Sequence, residues 1–363
     1  MDFYQRLMPK IALMNYLTLK IAEISQQPGD NLVIKFEPTP EKIHYTAGQF
    51  LTFIFDVKGK EVRRSYSLYS SPAVDEPLSI AVKLVENGEI SRMLHHKTRV
   101  GDVLKAVEPN GIFNYLPFKG IQRTVFLFAA GVGITPIFSI LKTALLEEDG
   151  SKIVLVYSNR STEDALFYEE IRDWEARYPE RLKVIYFFSN AKNIMKARLN
   201  KFMIEKIVVD NMQFDPAQAL FYTCGPIDYM VNCRIVLLGL KYALDQIKRE
   251  TYYIPEDEMD EDDTTEKQIA DKNTYRVIID WHENTYELEV PYFKRILEVA
   301  LDQNINLPYS CTGGICSTCT STCVSGGVRM DYNEVLTDEE IAAGRVLLCT
   351  GHPTANNTRI VIG

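Results

Sequence analysis

A chain of 363 residues is too long for one ordinary domain and fits two or three, and at 46% hydrophobic and 25% charged residues it reads as globular. A net charge of −9 argues against nucleic acid as a partner, which asks for a basic face. Seven cysteines leave one over from any set of disulfides, and no segment approaches the roughly 20 apolar residues of a membrane span.

The first residues, "MDFYQRLMPKIALMNYL", hold a short apolar run with an acid at position 2, a proline inside and no small-residue cleavage site, so they do not read as a signal peptide. Free cysteines without a disulfide pattern favour the cytoplasm. From residue 17 to 119 short alternating strands broken by Gly and Pro turns predict a small antiparallel β-barrel. Within it "RRSYSLYS" contains R-x-Y-S: Arg64 suited to pair with a phosphate, Tyr66 to stack on a ring, Ser67 to hydrogen-bond a cofactor. "AVKLVENGEISRML" follows, with Val82 and Lys83 and then a G-x-x-S from Gly88 through Ile90 to Ser91, whose backbone and hydroxyl can cradle a pyrophosphate. Each piece has a plainer reading as core tyrosine or solvated arginine.

Residues 120 to 249 carry a nucleotide signature on an α/β parallel sheet. "TVFLFAA", residues 124 to 130, is the continuous apolar run of a strand covered on both faces. "GVGITP" comes next, and Ile137, Ile140, Leu141, Ala144 and Leu145 mark a helix face with Pro136 in the first turn. Gly131 and Gly133 allow backbone to approach a pyrophosphate at the helix end, and Thr135 stands in the same turn. A second strand, "KIVLVYS", ends at Ser158, followed by Asn159 and Arg160. A hydroxyl and an arginine there, where an acid would hold a ribose 2′-hydroxyl, suit a 2′-phosphate and favour NADPH over NADH, although Arg160 also reads as an ordinary surface charge. A last strand, "ALFYT", delivers Cys224, Gly225 and Pro226 to the carboxyl edge of the sheet, where a nicotinamide would lie.

Residues 250 to 273 read as an acidic linker, because "EDEMDEDD" at 256 to 263 holds seven acids in eight positions and cannot bury apolar area; a docking tail is the other reading. Beyond it, "TYRVIIDWHENTYELEVP" predicts two strands joined by a polar turn at His282, Glu283 and Asn284. Phe293, Ile296, Leu297, Ala300 and Leu301 predict a helix face, and "TRIVI" a final strand. Between them "YSCTGGICSTCTSTC" puts four cysteines within thirteen positions. Cys311, Cys316 and Cys319 show the C-x4-C-x2-C spacing of plant-type 2Fe-2S loops, and Cys349 supplies the distant fourth thiolate. Zinc would more often show a second C-x2-C pair or a histidine. Gly313 and Gly314 let backbone wrap the cluster, while Cys323 reads as a small buried core residue.

A nicotinamide yields two electrons as hydride and a 2Fe-2S cluster accepts one, so something must split the pair. A flavin does this, and the barrel is where it should bind. In this order R-x-Y-S, G-x-x-S, "GVGITP", "CGP" and the cysteine loop resemble the ferredoxin-NADP reductase family, in its single-chain form with a C-terminal plant-type ferredoxin of β-grasp fold over residues 274 to 363. The resemblance runs from about residue 17 to 363. It implies FAD held by Arg64 and Tyr66, Thr135 near the nicotinamide, and an aromatic covering the flavin, which here is Tyr252 in "RETYY". It also implies a separate oxygenase as electron acceptor, a diiron enzyme among those it admits. A reductase of free flavin or ferric complexes, and a redox-sensing iron-sulfur protein without turnover, are the competing readings.

Overall fold

The computed structural model describes residues 16–191, 198–252 and 272–362. The acidic run and the first fifteen residues lie outside them. The chain forms two compact units, one of residues 16–253 and one within residues 254–363.

The first unit opens with β1 (Tyr16–Gln27), β2 (Asn31–Phe36), β3 (Phe50–Val57), β4 (Lys60–Ser67), β5 (Ser79–Lys83), α1 (Glu89–His96) and β6 (Val103–Val107). The strands run antiparallel in the order β4-β3-β6-β1-β2-β5. The two end strands meet as well: Leu68, just past β4, bridges Ile80 of β5, and the Tyr69 N–H donates to the Ser79 carbonyl at 3.1 Å. Closure removes both free edges and makes the expected barrel. Alternation along the strands sends Leu19, Ile21, Ile34, Phe53 and Val82 inward, where Ile90 and Leu94 of α1 join them.

A parallel sheet follows, built from β7 (Thr124–Ala130), α2 (Ile134–Glu147), β8 (Lys152–Asn159), α3 (Tyr168–Arg177), β9 (Leu182–Phe188), α4 (Lys201–Asn211), β10 (Leu220–Cys224), α5 (Ile227–Gly239) and β11 (Ile247–Glu250). The order is β11-β10-β7-β8-β9. The apolar run of β7 is explained by its central place, with one core of α2 and α3 side chains on one face and another of α4 and α5 side chains on the other. The chain moves outward from β7 through β8 to β9 and then returns to β10 on the other side of β7. That reversal opens a crevice at the carboxyl ends of β7 and β10, where "GVG" and "CGP" stand.

The second unit contains β12 (Thr274–Trp281), β13 (Asn284–Pro291), α6 (Ile296–Asp302), β14 (Thr320–Ser325), β15 (Val328–Met330), α7 (Asp338–Ala342), β16 (Arg345–Leu347), β17 (Gly351–Pro353) and β18 (Thr358–Ile362). Its main sheet has the order β13-β12-β18-β14-β16, with the first and last strands parallel neighbours and α6 packed on the sheet, the β-grasp arrangement. Three details depart from expectation. The hairpin turn is only His282 and Glu283, since Asn284 already pairs with Trp281; His282 takes φ 52°. Phe293 precedes α6 and is 64% exposed, so it is not on the buried face. Cys323 on β14 is half-buried and not core, its thiol donating to the Ser325 carbonyl at 3.3 Å.

Among the described residues, no helix is long and apolar enough to cross a membrane.

Candidate functional site

In the first unit six of the residues singled out from the sequence, Lys83, Gly131, Gly133, Gly225, Pro226 and Tyr252, line a cavity of about 430 Å³. It is lined by Lys83 of the barrel, the turn from Ala130 to Gly133, the turn Gly225–Pro226 with Ile227 and Asp228, and Thr251 and Tyr252. Two glycines make the approach possible. A Cβ on Gly133 would stand 2.3 Å from the Cys224 carbonyl oxygen and 2.9 Å from the Gly225 nitrogen, and one on Gly225 would meet the Ala130 Cβ at 2.8 Å. The two turns therefore interlock, with Gly131 at φ 54° starting the bend into α2.

The Tyr252 hydroxyl joins the barrel to the nucleotide sheet. It lies 2.8 Å from Ser67 Oγ and 3.2 Å from Thr135 Oγ1, while the Thr135 hydroxyl also reaches the Val132 carbonyl at 3.0 Å. The ring keeps a solvent face, with the residue 42% exposed, yet burial of the hydroxyl pushes its pKa well above the ordinary phenol value. Cys224 is fully buried beside it, and burial raises its thiol in the same way. Behind Cys224 lies a group that the sequence motifs did not single out. Glu250 pairs with Cys224 across the parallel strands β10 and β11, is 9% exposed, and its Oε2 is buried without a hydrogen-bond partner; burial pushes its carboxyl up to about 8. Its signal was a glutamate ending a strand at the carboxyl edge of the sheet.

Along β4, Arg64 is exposed, with one guanidinium nitrogen bonded to the Arg63 carbonyl at 2.8 Å, and Tyr66 is half-buried with its ring 6.0 Å from Phe53. The side chains of Val82 and Ile90 belong to the barrel core, so only their backbone can reach a ligand. A Cβ on Gly88 would stand 2.5 Å from Ser91 Oγ, because that hydroxyl folds back, accepting from the Val85 N–H at 3.2 Å and reaching the Gly88 carbonyl at 3.2 Å. The Ser91 hydroxyl is thus engaged in shaping the turn; the N–H groups opening α1 are what the turn offers an anion. Ser158 and Arg160 stand outside the cavity, at the end of β8, where Ser158 pairs with Ala130 of β7 and Arg160 is exposed.

In the second unit the thiols of Cys311, Cys316, Cys319 and Cys349 are free and converge. Cys311 interacts with both Cys316 and Cys349, and Cys349 also with Cys319, so the four sulfurs form one connected group. Hydrogen bonds from Cys316 and Cys349 hold the Cys311 thiol far below the usual thiol range, while the same closeness pushes Cys316 and Cys349 up: four thiolates this near one another need a cation among them. Backbone N–H groups already point at sulfur, from Gly313 and Ile315 to Cys311 at 3.4 and 3.5 Å and from Cys311 to Cys316 at 3.4 Å. Thr312 and Ser317 take left-handed φ of 57° and 58° to allow the wrap, as does Gly314, whose Cβ would meet the Tyr332 carbonyl at 2.7 Å. Among the described residues no group of three His, Cys, Asp or Glu side chains forms a site for one metal ion. Four connected sulfurs at C-x4-C-x2-C spacing with a distant fourth, and amides directed at them, fit a 2Fe-2S cluster better than a single zinc. Cys323 takes no part in it.

Comparison with known proteins agrees with this division of labour. Residues 19–115 match the oxidoreductase FAD-binding domain, residues 127–234 the oxidoreductase NAD-binding domain, and residues 279–354 the 2Fe-2S iron-sulfur cluster binding domain. The chain is 30% identical to a component of the 1,2-phenylacetyl-CoA epoxidase of Escherichia coli over 94% of its own length and 96% of that protein's. It is 29% identical to the ferredoxin reductase component of 3-ketosteroid-9-alpha-monooxygenase from Rhodococcus rhodochrous, covering 94% and 95%, and 28% identical to the reductase component of a glycine betaine monooxygenase of Pseudomonas aeruginosa, covering 86% of each. Its fold is that of phthalate dioxygenase reductase, with a TM-score of 0.57 at 23% identity over 96% of this chain and 97% of that one. Three cofactor domains in one chain, an interlocked nucleotide crevice and a four-thiol loop place this protein in the ferredoxin-NADP reductase family, among the single-chain FAD and 2Fe-2S reductases that serve oxygenases.

Proposed function

We propose that this reductase draws its electrons from NADPH in preference to NADH and delivers them to a diiron oxygenase that epoxidises the ring of an aryl-acetyl thioester, in a reducing, cytoplasmic setting. What supports the acceptor is the 30% identity to a phenylacetyl-CoA epoxidase component; what supports nucleotide binding is the cavity lined by Lys83, both glycine turns and Tyr252, and NADPH is favoured by Arg160 at the end of β8. In this reading the domains span residues 17–119, 120–249 and 274–363, with an acidic linker at 250–273.

Bound FAD supplies the conversion of one hydride, two electrons, into two single electrons. The chain's own residues do the rest. Arg64 holds flavin phosphate, and Tyr66 and Ser67 fix the ring against β4. The α1 turn from Gly88, with Lys83, takes the pyrophosphate, while Gly131 and Gly133 admit the nucleotide's pyrophosphate to the N-terminus of α2. Thr135 and Cys224 border the nicotinamide, whose arrival requires the Tyr252 hydroxyl to release its bonds to Ser67 and Thr135. Cys311, Cys316, Cys319 and Cys349 hold the cluster.

Two measurements test this. Arg160→Ala should raise KM for NADPH by roughly tenfold to a hundredfold, as loss of a charge-assisted contact implies, and leave NADH nearly unchanged; equal effects on both would remove the NADPH assignment. Reconstitution with a phenylacetyl-CoA epoxidase oxygenase should give turnover well above that with a ketosteroid monooxygenase. The reverse order would transfer the chain to the second class, which the 29% identity keeps in view.

A further inference from the structure

Helix α2 carries Thr135 at its start and, deeper in, the polar Ser139 with Lys142 and Thr143 one turn beyond it, all at most 3% exposed. Each grips the loop that leaves β4 directly after Tyr66 and Ser67. Ser139 Oγ donates to the Ser70 carbonyl at 2.6 Å, Thr143 Oγ1 and Ser71 Oγ lie 2.7 Å apart, and the Lys142 ammonium is ion-paired with Glu76, which also accepts the Ser71 N–H at 2.6 Å. Ser70 is fastened in turn to β5, its Oγ accepting from the Ser79 N–H at 3.1 Å and from the Tyr45 hydroxyl at 3.0 Å. Burial opposes the charge on Lys142 and lowers its pKa even with Glu76 alongside.

Such a pair is a poor device for stability. Apolar residues of similar volume at a buried ion pair are often neutral or stabilising, whereas an ion pair with directional bonds selects one register out of those an apolar contact tolerates. The register here joins two working parts. From Lys142 to Thr135 is two helical turns, about 10 Å of rigid rod, and Ser70 follows directly in the loop after Ser67, the last residue of β4. We propose that Lys142 and Glu76 are positioning residues whose ion pair, flanked by the Ser139–Ser70 and Thr143–Ser71 bonds, holds the flavin-bearing strand in one register against the helix that borders the nicotinamide. The proposal rests on the cofactor placement given under Proposed function. It assigns these side chains a part in hydride transfer, in which the nicotinamide carbon gives up hydride with both its electrons to the flavin, without contact with either cofactor.

The test uses the full-length holoprotein and the variants Lys142→Met, Glu76→Gln and the double substitution. The expected result is unchanged FAD content, nucleotide Kd within about threefold of the parent, weaker charge-transfer absorbance between reduced flavin and oxidised nicotinamide, and anaerobic flavin reduction slower by about tenfold to a hundredfold, the scale of a misplacement near 1 Å. The double variant should be no slower than the slower single variant, because the pair acts as a unit. Parent rate and parent charge-transfer absorbance in Lys142→Met would overturn the proposal, as would a slow rate traced wholly to lost FAD or weakened nucleotide binding. If Lys142→Met does not fold, the isosteric Glu76→Gln decides by the same criteria. A parent protein whose flavin NAD(P)H does not reduce would instead overturn the cofactor placement itself.

Discussion

Two cysteines seven positions apart, Cys316 and Cys323, test the proposed ligand set. Cys316→Ser puts a neutral hydroxyl where soft iron asks for thiolate, so the purified variant should lose its iron-sulfur absorbance while keeping that of flavin. It should still reduce a small dye that draws on flavin directly, yet fail with cytochrome c. Cys323→Ser should keep the cluster, since its thiol bonds only to the Ser325 carbonyl; the opposite pattern of absorbance would reassign the ligands. Glu250 gives a second test at this scale. Its carboxyl titrates near 4.5 when unfolded and at about 8 when folded, so the native state keeps a proton that the unfolded chain releases. Stability on this account is fully present below pH 4.5 and is lost as pH rises through about 8, by on the order of 5 kcal/mol in all. Glu250→Gln should flatten that slope in denaturant unfolding at about pH 5.5 and about pH 8. An unchanged slope would mean that the carboxyl is ionised in the fold.

Among the elements, the strand β7 and helix α2 were legible because period and composition agreed: a two-sided apolar strand, a glycine turn, then an amphipathic register with Pro136 in the first turn. What could not be read was why α2 buries Ser139, Lys142 and Thr143, since a polar face predicts solvent and only the barrel loop docked against it explains their burial. Phe293 was misread for the converse reason: periodicity extended the face by one turn, but the helix begins at Ile296. Cys323 was misread because β16 pairs with β14 only as far as Thr322, which leaves Cys323 to Ser325 partly open. The cluster loop was the most legible part, its chemistry fixed by thiol spacing. The interlock of the two glycine turns depended on a contact between residues some ninety positions apart. That contact makes its own prediction. Gly133→Ala should drive β7 and β10 apart at the crevice and weaken NADPH binding at least about tenfold, about 1.4 kcal/mol, with FAD content retained. Unaltered Kd in a titration would show that the turns have room to yield.

Over the whole molecule, electrons enter in pairs and leave singly, so a reduced flavin must wait between departures. Waiting is hazardous in air, because dioxygen takes electrons from an accessible reduced flavin and returns hydrogen peroxide. The Tyr252 ring stands beside Ser67 and Thr135, where the proposed cofactor placement has donor and flavin meet. Tyr252→Ala should therefore leak, consuming NADPH with no oxygenase present and releasing peroxide in equal amount at several times the parent rate, whereas Tyr252→Phe, which keeps the ring and loses only the hydroxyl, should stay close to the parent. Peroxide release from Tyr252→Ala no faster than the parent's would refute the shielding role. With the shield in place, a single aromatic side chain sets how much of the cell's nicotinamide reaches the oxygenated product and how much is squandered on oxidative stress.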